Sequence, residues 1–307
     1  MKAGWAAERE RSNALALRVM TWIALRLGRR IARGVLHGIA AYFVLFAPRA
    51  RRASAAYLQR VFGRPARWRE LYAHVYCFAA TILDRVYLLR RQTRWLRLEV
   101  RGHEVIADVL AEGHGAFLIG AHLGSFEVLR ATAATERPDL RLAMVMYPDN
   151  ARLINAALAA IAPDAVPDII ALGRPEAMLQ IRDRLAEGTL VGMLGDRVLH
   201  DDASARAQTR RIAFLGREAE WSDGPFRLAD LLRQRIVTMV GLYLGGDRYE
   251  VRFAPLADFR ARPANAAERE ARIAAAQAAY VAHLESLCRE QPYNWFNFHD
   301  FWREDPR

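Results

Sequence analysis

Cysteine is nearly absent from this chain, which has only Cys77 and Cys288 in 307 residues. Both lie in apolar stretches with helical spacing, so we expect buried thiols rather than a disulfide. Two cysteines are too few for a cysteine-rich zinc site, and they do not make the framework of a small secreted domain. The cysteine content therefore favours a reducing, cytosol-facing location.

Acidic residues are scarce in the first 70 positions, where only Glu8, Glu10 and Glu70 oppose 15 lysines and arginines. The net charge of +11 therefore belongs to this segment, and the rest of the chain is nearly neutral. A basic segment is one signature of nucleic-acid binding, which would be salt-sensitive. We rank that interpretation last and expect no nucleic-acid partner, because apolar stretches separate the basic residues and the remaining chain offers no basic groove.

Long uncharged apolar runs are missing as well. The most apolar run, IARGVLHGIAAYFVLFA (residues 31–47), contains an arginine and a histidine and is followed by Arg49, Arg51 and Arg52. A spanning helix needs about 20 mostly apolar residues, and the sequence lacks the cleavage site of a signal peptide. An amphipathic helix in the membrane interface, with its arginines on anionic headgroups, fits at least as well as a spanning helix. A buried helical hairpin with solvated arginines is the alternative.

The pattern changes once along the chain, without repeats or low-complexity linkers. Residues 1–92 predict a helical, membrane-associated segment. In residues 93–307 short apolar runs alternate with helical stretches, which predicts an α/β domain with a mostly parallel central sheet flanked by helices. The predicted strands begin near residues 96, 116, 141, 168, 189, 211, 235 and 248, and the main predicted helices of this part cover 125–135, 150–161, 174–187, 223–234 and 265–290.

A histidine ends the apolar run AFLIGAH (residues 116–122), which is typical of a central buried strand. Functional residues gather at the carboxyl ends of such strands. His122 has an acidic residue, Glu127, five positions later. Two other pairs have the same spacing, His103/Asp108 and His299/Glu304, but neither histidine follows a buried strand.

A turn through Gly124 and Ser125 would let Glu127 reach back to one imidazole nitrogen of His122 and leave the other nitrogen as a general base. We also expect the backbone N–H groups of Gly124 and Ser125 to stabilise an oxyanion at the helix N-terminus. The alternative is a structural histidine that happens to precede a helix.

Five stretches, in order, resemble blocks of the lysophospholipid acyltransferase superfamily, and the match is best with its lipid A late-acyltransferase branch. The first is GAHLGSFEVLRA, which contains the His-x4-Asp/Glu motif. The others are MYPDNARLINAAL (146–158), LAEGTLVGMLGDR (185–197), IAFLGREAEWSDGPFRLADLL (212–232) and NWFNFHDFW (294–302). The last resembles the ending of members associated with aryl-polyene clusters. The resemblance as a whole covers about residues 5 to 302.

The resemblance implies an α/β fold and transfer of a fatty acyl chain from an acyl carrier protein or coenzyme A thioester to a hydroxyl of a membrane lipid or glycolipid. It implies His122 and Glu127 as the catalytic pair, with no cofactor, no metal and no acyl-enzyme. It also implies a location on the cytoplasmic face of the inner membrane. A non-lipid A acceptor, such as a glycerolipid, an amino-acid lipid or an aryl-polyene headgroup, remains an alternative. A catalytically inactive membrane-binding or carrier-binding module is another.

Five residues outside the motif are predicted to bind substrate: Asn150, Asp196, Arg197, Arg210 and Arg211. Asp196 and Arg197 follow a predicted central strand and stand where the branch often has Asp-Gln. The aromatic residues of the C-terminal ending, among them Trp295 and Trp302, are interpreted as a cap on the core rather than as an acyl groove.

Overall fold

The structure is a computed structural model and describes residues 14–136, 140–146, 168–172, 175–197 and 209–302. The helices are α1 (Ala14–Arg26), α2 (Gly28–Phe46), α3 (Pro48–Phe62), α4 (Trp68–Leu89), α5 (His103–Ala111), α6 (Phe126–Glu136), α7 (Pro175–Ala186), α8 (Gly224–Leu231) and α9 (Ala266–Glu290). The strands are β1 (Arg97–Arg101), β2 (Phe117–Gly120), β3 (Leu142–Met146), β4 (Asp168–Ala171), β5 (Leu190–Leu194), β6 (Thr209–Phe214), β7 (Arg217–Ser222), β8 (Arg235–Tyr243) and β9 (Arg248–Asp258). The predicted helix at 150–161 lies outside the described residues.

Seven strands form one sheet in the order β1-β9-β8-β2-β5-β3-β4, and all neighbours are parallel except β8 and β9. β6 and β7 form a separate antiparallel hairpin. The prediction of an α/β fold with a mostly parallel, helix-flanked sheet is confirmed. β8 and β9 pair antiparallel because a short turn at residues 244–247 joins them, whereas parallel neighbours need a longer crossover.

Strand β2 lies in the middle of the sheet and is buried on both faces. Phe117 and Ile119 point into one apolar cluster, which includes residues of α7 and α9. Leu118 points into the other, which includes residues of α4, α5 and α6. Because successive side chains of a strand alternate between faces, a run of four apolar or small residues fits a strand covered on both sides. The carboxyl end of β2 is therefore held by packing on both faces of the sheet.

The N-terminal helices are held to the sheet domain by buried Asp84 on α4. Arg29 of α2 donates through Nε to Asp84 Oδ1 and through Nη2 to Asp84 Oδ2, each at 2.8 Å. The Tyr249 hydroxyl on β9 donates to Oδ2 at 3.0 Å. A two-pronged arginine–carboxylate contact fixes orientation as well as distance. Asp84 thus locks α2, α4 and β9 together.

Within the described part of the chain, no single helix is both long and apolar enough to cross a membrane. α2 and α3 pass the same test as a pair, with a bend of 92° between them. The bend lies at Ala47-Pro48, where proline starts the new helix in the first-turn position that tolerates its missing N–H.

Both cysteines are free and buried, as predicted. Burial raises the pKa of the Cys77 and Cys288 thiols.

Candidate active site

His122 and Asp196 meet because β2 and β5 are adjacent parallel strands. Their register pairs Gly120 with Leu194, and each functional residue comes two positions after its strand's partner in that pair. The hydrogen bond from Gly195 N to Gly120 O, 3.0 Å long, continues the pairing beyond the strands. The two side chains therefore emerge at the same level on the carboxyl edge of the sheet.

The Asp196 carboxylate accepts two hydrogen bonds from His122, both 2.9 Å long. Oδ1 receives the one from the ring Nδ1, and Oδ2 receives the one from the backbone N–H. The side chain of Asp196 is 2% exposed, whereas that of His122 is 30% exposed. The carboxylate is thus buried behind the imidazole, and His122 is the accessible member of the pair.

Asp196 is ionised, and its charge keeps the ring proton of a neutral His122 on Nδ1. Burial by itself raises the pKa of Asp196, but the charge and hydrogen bond of His122, with Arg197 and the Trp295 indole, outweigh burial and hold the pKa well below the usual range. An ionised carboxylate can only accept hydrogen bonds, so Nδ1 of His122 must donate. Nε2 of a neutral imidazole then carries a free lone pair and can act as a base.

Glu127 lies in the first turn of α6 and has other partners. Its Oε1 pairs with Arg85 Nε of α4 at 2.7 Å, and its Oε2 accepts a hydrogen bond from the Ser125 hydroxyl at 3.1 Å. Asp196 therefore occupies one imidazole nitrogen, Nδ1, in the role of orienting carboxylate that was predicted for Glu127. A catalytic His122–Glu127 dyad is not confirmed by these contacts and stays a prediction.

The loop between β2 and α6 is shaped by Gly124. Its φ of +72° lies in the left-handed region, and a Cβ there would overlap the carbonyl oxygen of Gly241 on β8. Gly124 N–H donates to Asn294 O at 2.8 Å, and Ser125 N–H donates to Gly241 O at 2.7 Å. Both amides are already used within the protein, so the expectation that they stabilise an oxyanion is not supported.

The remaining predicted substrate residues separate into three groups. Arg197 follows Asp196 directly. Burial lowers the pKa of its guanidinium, and the negative charge of Asp196 raises it by a smaller amount. Arg210 on β6 contacts Glu270 of α9 and Asp223, and Arg211 contacts Glu218 of β7. Asn150 lies outside the described residues. Substrate binding by these residues stays a prediction.

Three residues that the sequence argument did not assign to the site contact it directly. Arg85 pairs with Glu127, Trp295 donates to Asp196, and Asn294 accepts from Gly124. Arg85 comes from an N-terminal helix and Asn294 and Trp295 from the C-terminal ending, so no local pattern joins them to the motif. For Asn294 and Trp295 the one sequence signal was the resemblance of NWFNFHDFW to a family ending, and Arg85 had none.

No His/Cys/Asp/Glu cluster of metal-binding size occurs among the residues that the structure describes.

A search of curated proteins gives no significant match. The family model described as "Bacterial lipid A biosynthesis acyltransferase" matches residues 10–304, which include both helical and sheet parts and every described site residue. The chain therefore belongs to the bacterial lipid A biosynthesis acyltransferase family.

Proposed function

We propose that this protein transfers a fatty acyl chain from an acyl thioester to a hydroxyl of a lipid acceptor, with His122 as the general base. The observation that carries the proposal is the buried carboxylate of Asp196 on Nδ1 of a partly exposed histidine. That contact leaves Nε2 as the proton acceptor on the accessible side of the ring. The family membership supports the class of reaction.

In the proposed step, Nε2 of His122 takes the proton of the acceptor hydroxyl as its oxygen attacks the thioester carbonyl. The new ester C–O bond forms, the C–S bond breaks, and the leaving thiolate takes the proton from the imidazolium. Atoms and charge balance without an acyl-enzyme. Ser125 is not used as a nucleophile, because its hydroxyl is bonded to Glu127 and the sequence lacks the Gly-x-Ser-x-Gly elbow.

Asp196 is the proposed positioning carboxylate of His122. Replacing it with asparagine keeps the shape but offers an amide N–H that competes to set the wrong tautomer. In a serine-protease triad the corresponding change lowers kcat by about 10⁴-fold. We expect Asp196→Asn to lower kcat by roughly 10³- to 10⁴-fold with a smaller change in KM.

Glu127 is the proposed second carboxylate, which stabilises the imidazolium electrostatically from the first turn of α6. Its ion pair with Arg85 offers a rival explanation, in which Glu127 merely balances the charge of Arg85. Glu127→Gln alone does not separate the two roles, because it also leaves Arg85 without its partner. The double variant Glu127→Gln/Arg85→Gln removes the pair and preserves the net charge.

If Glu127 serves catalysis, the double variant stays as inactive as Glu127→Gln. Recovery of activity in the double variant would show that the carboxylate only balances Arg85, and the dyad hypothesis would be wrong. Arg85→Gln alone is the matched control for loss of the guanidinium.

Membrane association is proposed for the outer face of α1 and α2. Seven large apolar side chains there are between 38% and 60% exposed: Trp22, Leu27, Ile31, Val35, Tyr42, Leu45 and Phe46. Exposed arginines flank this surface, including Arg26, Arg30 and Arg49. Apolar side chains beside cations suit an anionic bilayer interface. We therefore propose binding at the cytoplasmic face of the inner membrane.

Flotation with liposomes tests the membrane proposal. The double variant Leu45→Ser/Phe46→Ser should lose binding to anionic vesicles, while Leu231→Ser, at a 66% exposed leucine on α8, serves as the control. Equal flotation of both variants would contradict the proposed surface.

The acceptor and donor are proposed as a lipid A-like hydroxyl and an acyl carrier protein or coenzyme A thioester. Lipid mass spectrometry of a source strain lacking this chain, complemented with wild type or His122→Ala, identifies the acceptor and the length of the transferred acyl chain. A species should lose one acyl chain and regain it only with wild type. A changed glycerolipid, amino-acid lipid or aryl-polyene species instead would identify a non-lipid A acceptor.

A thioester-consumption assay separates the enzyme from an inactive binding module. Loss of the general base should slow transfer about 10²- to 10⁴-fold. Wild-type protein that consumes neither donor, or His122→Ala protein with full activity, would overturn the proposed function.

A further inference from the structure

The C-terminal segment 294–296 crosses the active-site loop as a short extra strand. Leu123 and Trp295 form an antiparallel bridge. Gly124 N–H donates to Asn294 O at 2.8 Å, and Phe296 N–H donates to His122 O at 2.7 Å. The loop that carries His122 is therefore hydrogen-bonded to the end of the chain on both sides of Leu123.

The indole of Trp295 extends this contact to the carboxylate behind His122. Its Nε1–H donates to Asp196 Oδ2 at 2.9 Å, and the Trp295 residue is 1% exposed. Oδ2 thus receives the indole and the backbone N–H of His122, while Oδ1 receives the imidazole. Two donors on Oδ2 keep the carboxylate from rotating about its Cβ–Cγ bond, which would move Oδ1 away from Nδ1.

Trp295 is itself held on all sides. Its carbonyl accepts a hydrogen bond from Nε2 of buried His74 at 2.8 Å, and its ring packs edge-on against Tyr57, Phe214 and Phe301 with centroids 4.9 to 5.3 Å away. The preceding Asn294 side chain bonds both the N–H and the carbonyl of Tyr243. A donor held this firmly is pre-organised for one acceptor position.

We propose that Trp295 is a positioning residue of the acyltransferase centre, whose indole N–H fixes the Asp196 carboxylate against His122. This inference rests on the proposed function. It goes beyond a packing role for the aromatic ending, because it assigns a task to one N–H group. It also makes the C-terminal ending a third component of the site, beside the ends of β2 and β5.

Trp295→Phe removes the N–H together with part of the ring, so the loss of volume needs controls. Trp302→Phe and Trp221→Phe make the same change at buried tryptophans of the same aromatic cluster. Trp302 donates to Phe214 O, and the Trp221 N–H has no hydrogen-bond partner among the described residues. Neither of these two N–H groups therefore donates to Asp196.

We expect Trp295→Phe to lower kcat by about tenfold or more with little change in KM, as for loss of a hydrogen bond to a charged group. The two control variants should keep kcat within about twofold, even where they lower the unfolding midpoint equally. An isosteric benzothiophene in place of the Trp295 indole keeps the ring volume and lacks only the donor. It should reproduce the kcat loss; wild-type kcat in this variant would overturn the inference.

A spectroscopic readout keeps the test independent of turnover. In a ¹H–¹⁵N spectrum of the seven indole groups, the resonance missing from Trp295→Phe is that of Trp295. It should lie downfield in wild type and move upfield in Asp196→Asn, because the acceptor loses its charge. If it does so while wild-type protein consumes no thioester, the contact stands and the proposed function fails. An unmoved resonance would overturn the inference itself.

Discussion

Buried His74 makes the stability of the fold depend on pH below about 6.5. The ring is fully buried, and its Nε2 donates to Trp295 O while Nδ1 accepts from the Ser54 hydroxyl at 2.7 Å. Burial, opposed only in part by the Trp295 carbonyl, lowers the pKa of His74 to about 4 from its ordinary 6.5. The folded protein therefore keeps this histidine neutral where the unfolded chain protonates it.

The sign of the effect follows from which state binds the proton first. As pH falls through 6.5 the unfolded chain takes up a proton and the folded protein does not, so the free energy of unfolding decreases. The contribution of His74 to this decrease ends near pH 4, where the His74 ring of the folded protein is also protonated. The gap corresponds to roughly 3 kcal/mol in total, of which about 2 kcal/mol is lost between pH 8 and pH 5.

Urea unfolding at pH 8, 6.5 and 5 measures this loss, with His74→Gln as the test variant. Glutamine has the donor and acceptor that Trp295 O and Ser54 require, but it does not titrate. Between pH 8 and pH 5, the free energy of unfolding of His74→Gln should decrease by about 2 kcal/mol less than that of wild type. Exposed His103→Gln is the control and should follow wild type.

His283 contributes in the same direction, since burial and the charge of Arg252 lower its pKa too. The pH dependence of the free energy of unfolding is therefore compared between the variant and wild type, and the variant is not expected to be independent of pH. A wild-type slope in His74→Gln would refute the assignment of the pH dependence to this histidine.

Three further changes test the supports of the site. Asp84→Ala should lower the free energy of unfolding in urea by roughly 3–5 kcal/mol, because it leaves the charge of partly buried Arg29 without its carboxylate. A loss below about 1 kcal/mol would contradict the role of Asp84 in holding α2, α4 and β9 together. Gly124→Ala should lose thioester turnover and at least about 1–2 kcal/mol of stability, because the left-handed turn excludes a Cβ. Arg211→Gln should change stability by less than about 1 kcal/mol, because its pair with Glu218 is exposed on both sides.

Much of the fold could be predicted from the sequence because periodicity is a local signal. The predicted strands at 116, 189 and 235 correspond to β2, β5 and β8 within a residue or two. Strand β7 is not among the predicted strands, because its alternation of Glu218, Ala219, Glu220 and Trp221 is short and glutamate is depleted in strands. The helix at 223–234 ends earlier than predicted, since β8 begins soon after it.

The partner of His122 could not be predicted from spacing, because strand order is not a local property. Asp196 and His122 are 74 positions apart, and they meet only because β5 lies beside β2 in a register that places them level. Both residues are predicted at strand ends, yet the predicted partner of His122 is Glu127, which is near it in the chain. Five residues of separation favour contact only when no sheet neighbour competes for the same nitrogen.

The contacts of the C-terminal ending could not be predicted from the sequence either. Trp295 lies 99 positions after Asp196 and 221 after His74, yet it contacts both. An aromatic cluster in a sequence predicts burial, and Trp221, Trp295 and Trp302 are all buried. Composition does not show which of the three indole N–H groups finds a charged acceptor. Only Trp295 among them donates to a carboxylate of the site, and its replacement should separate catalysis from packing where the other two should not.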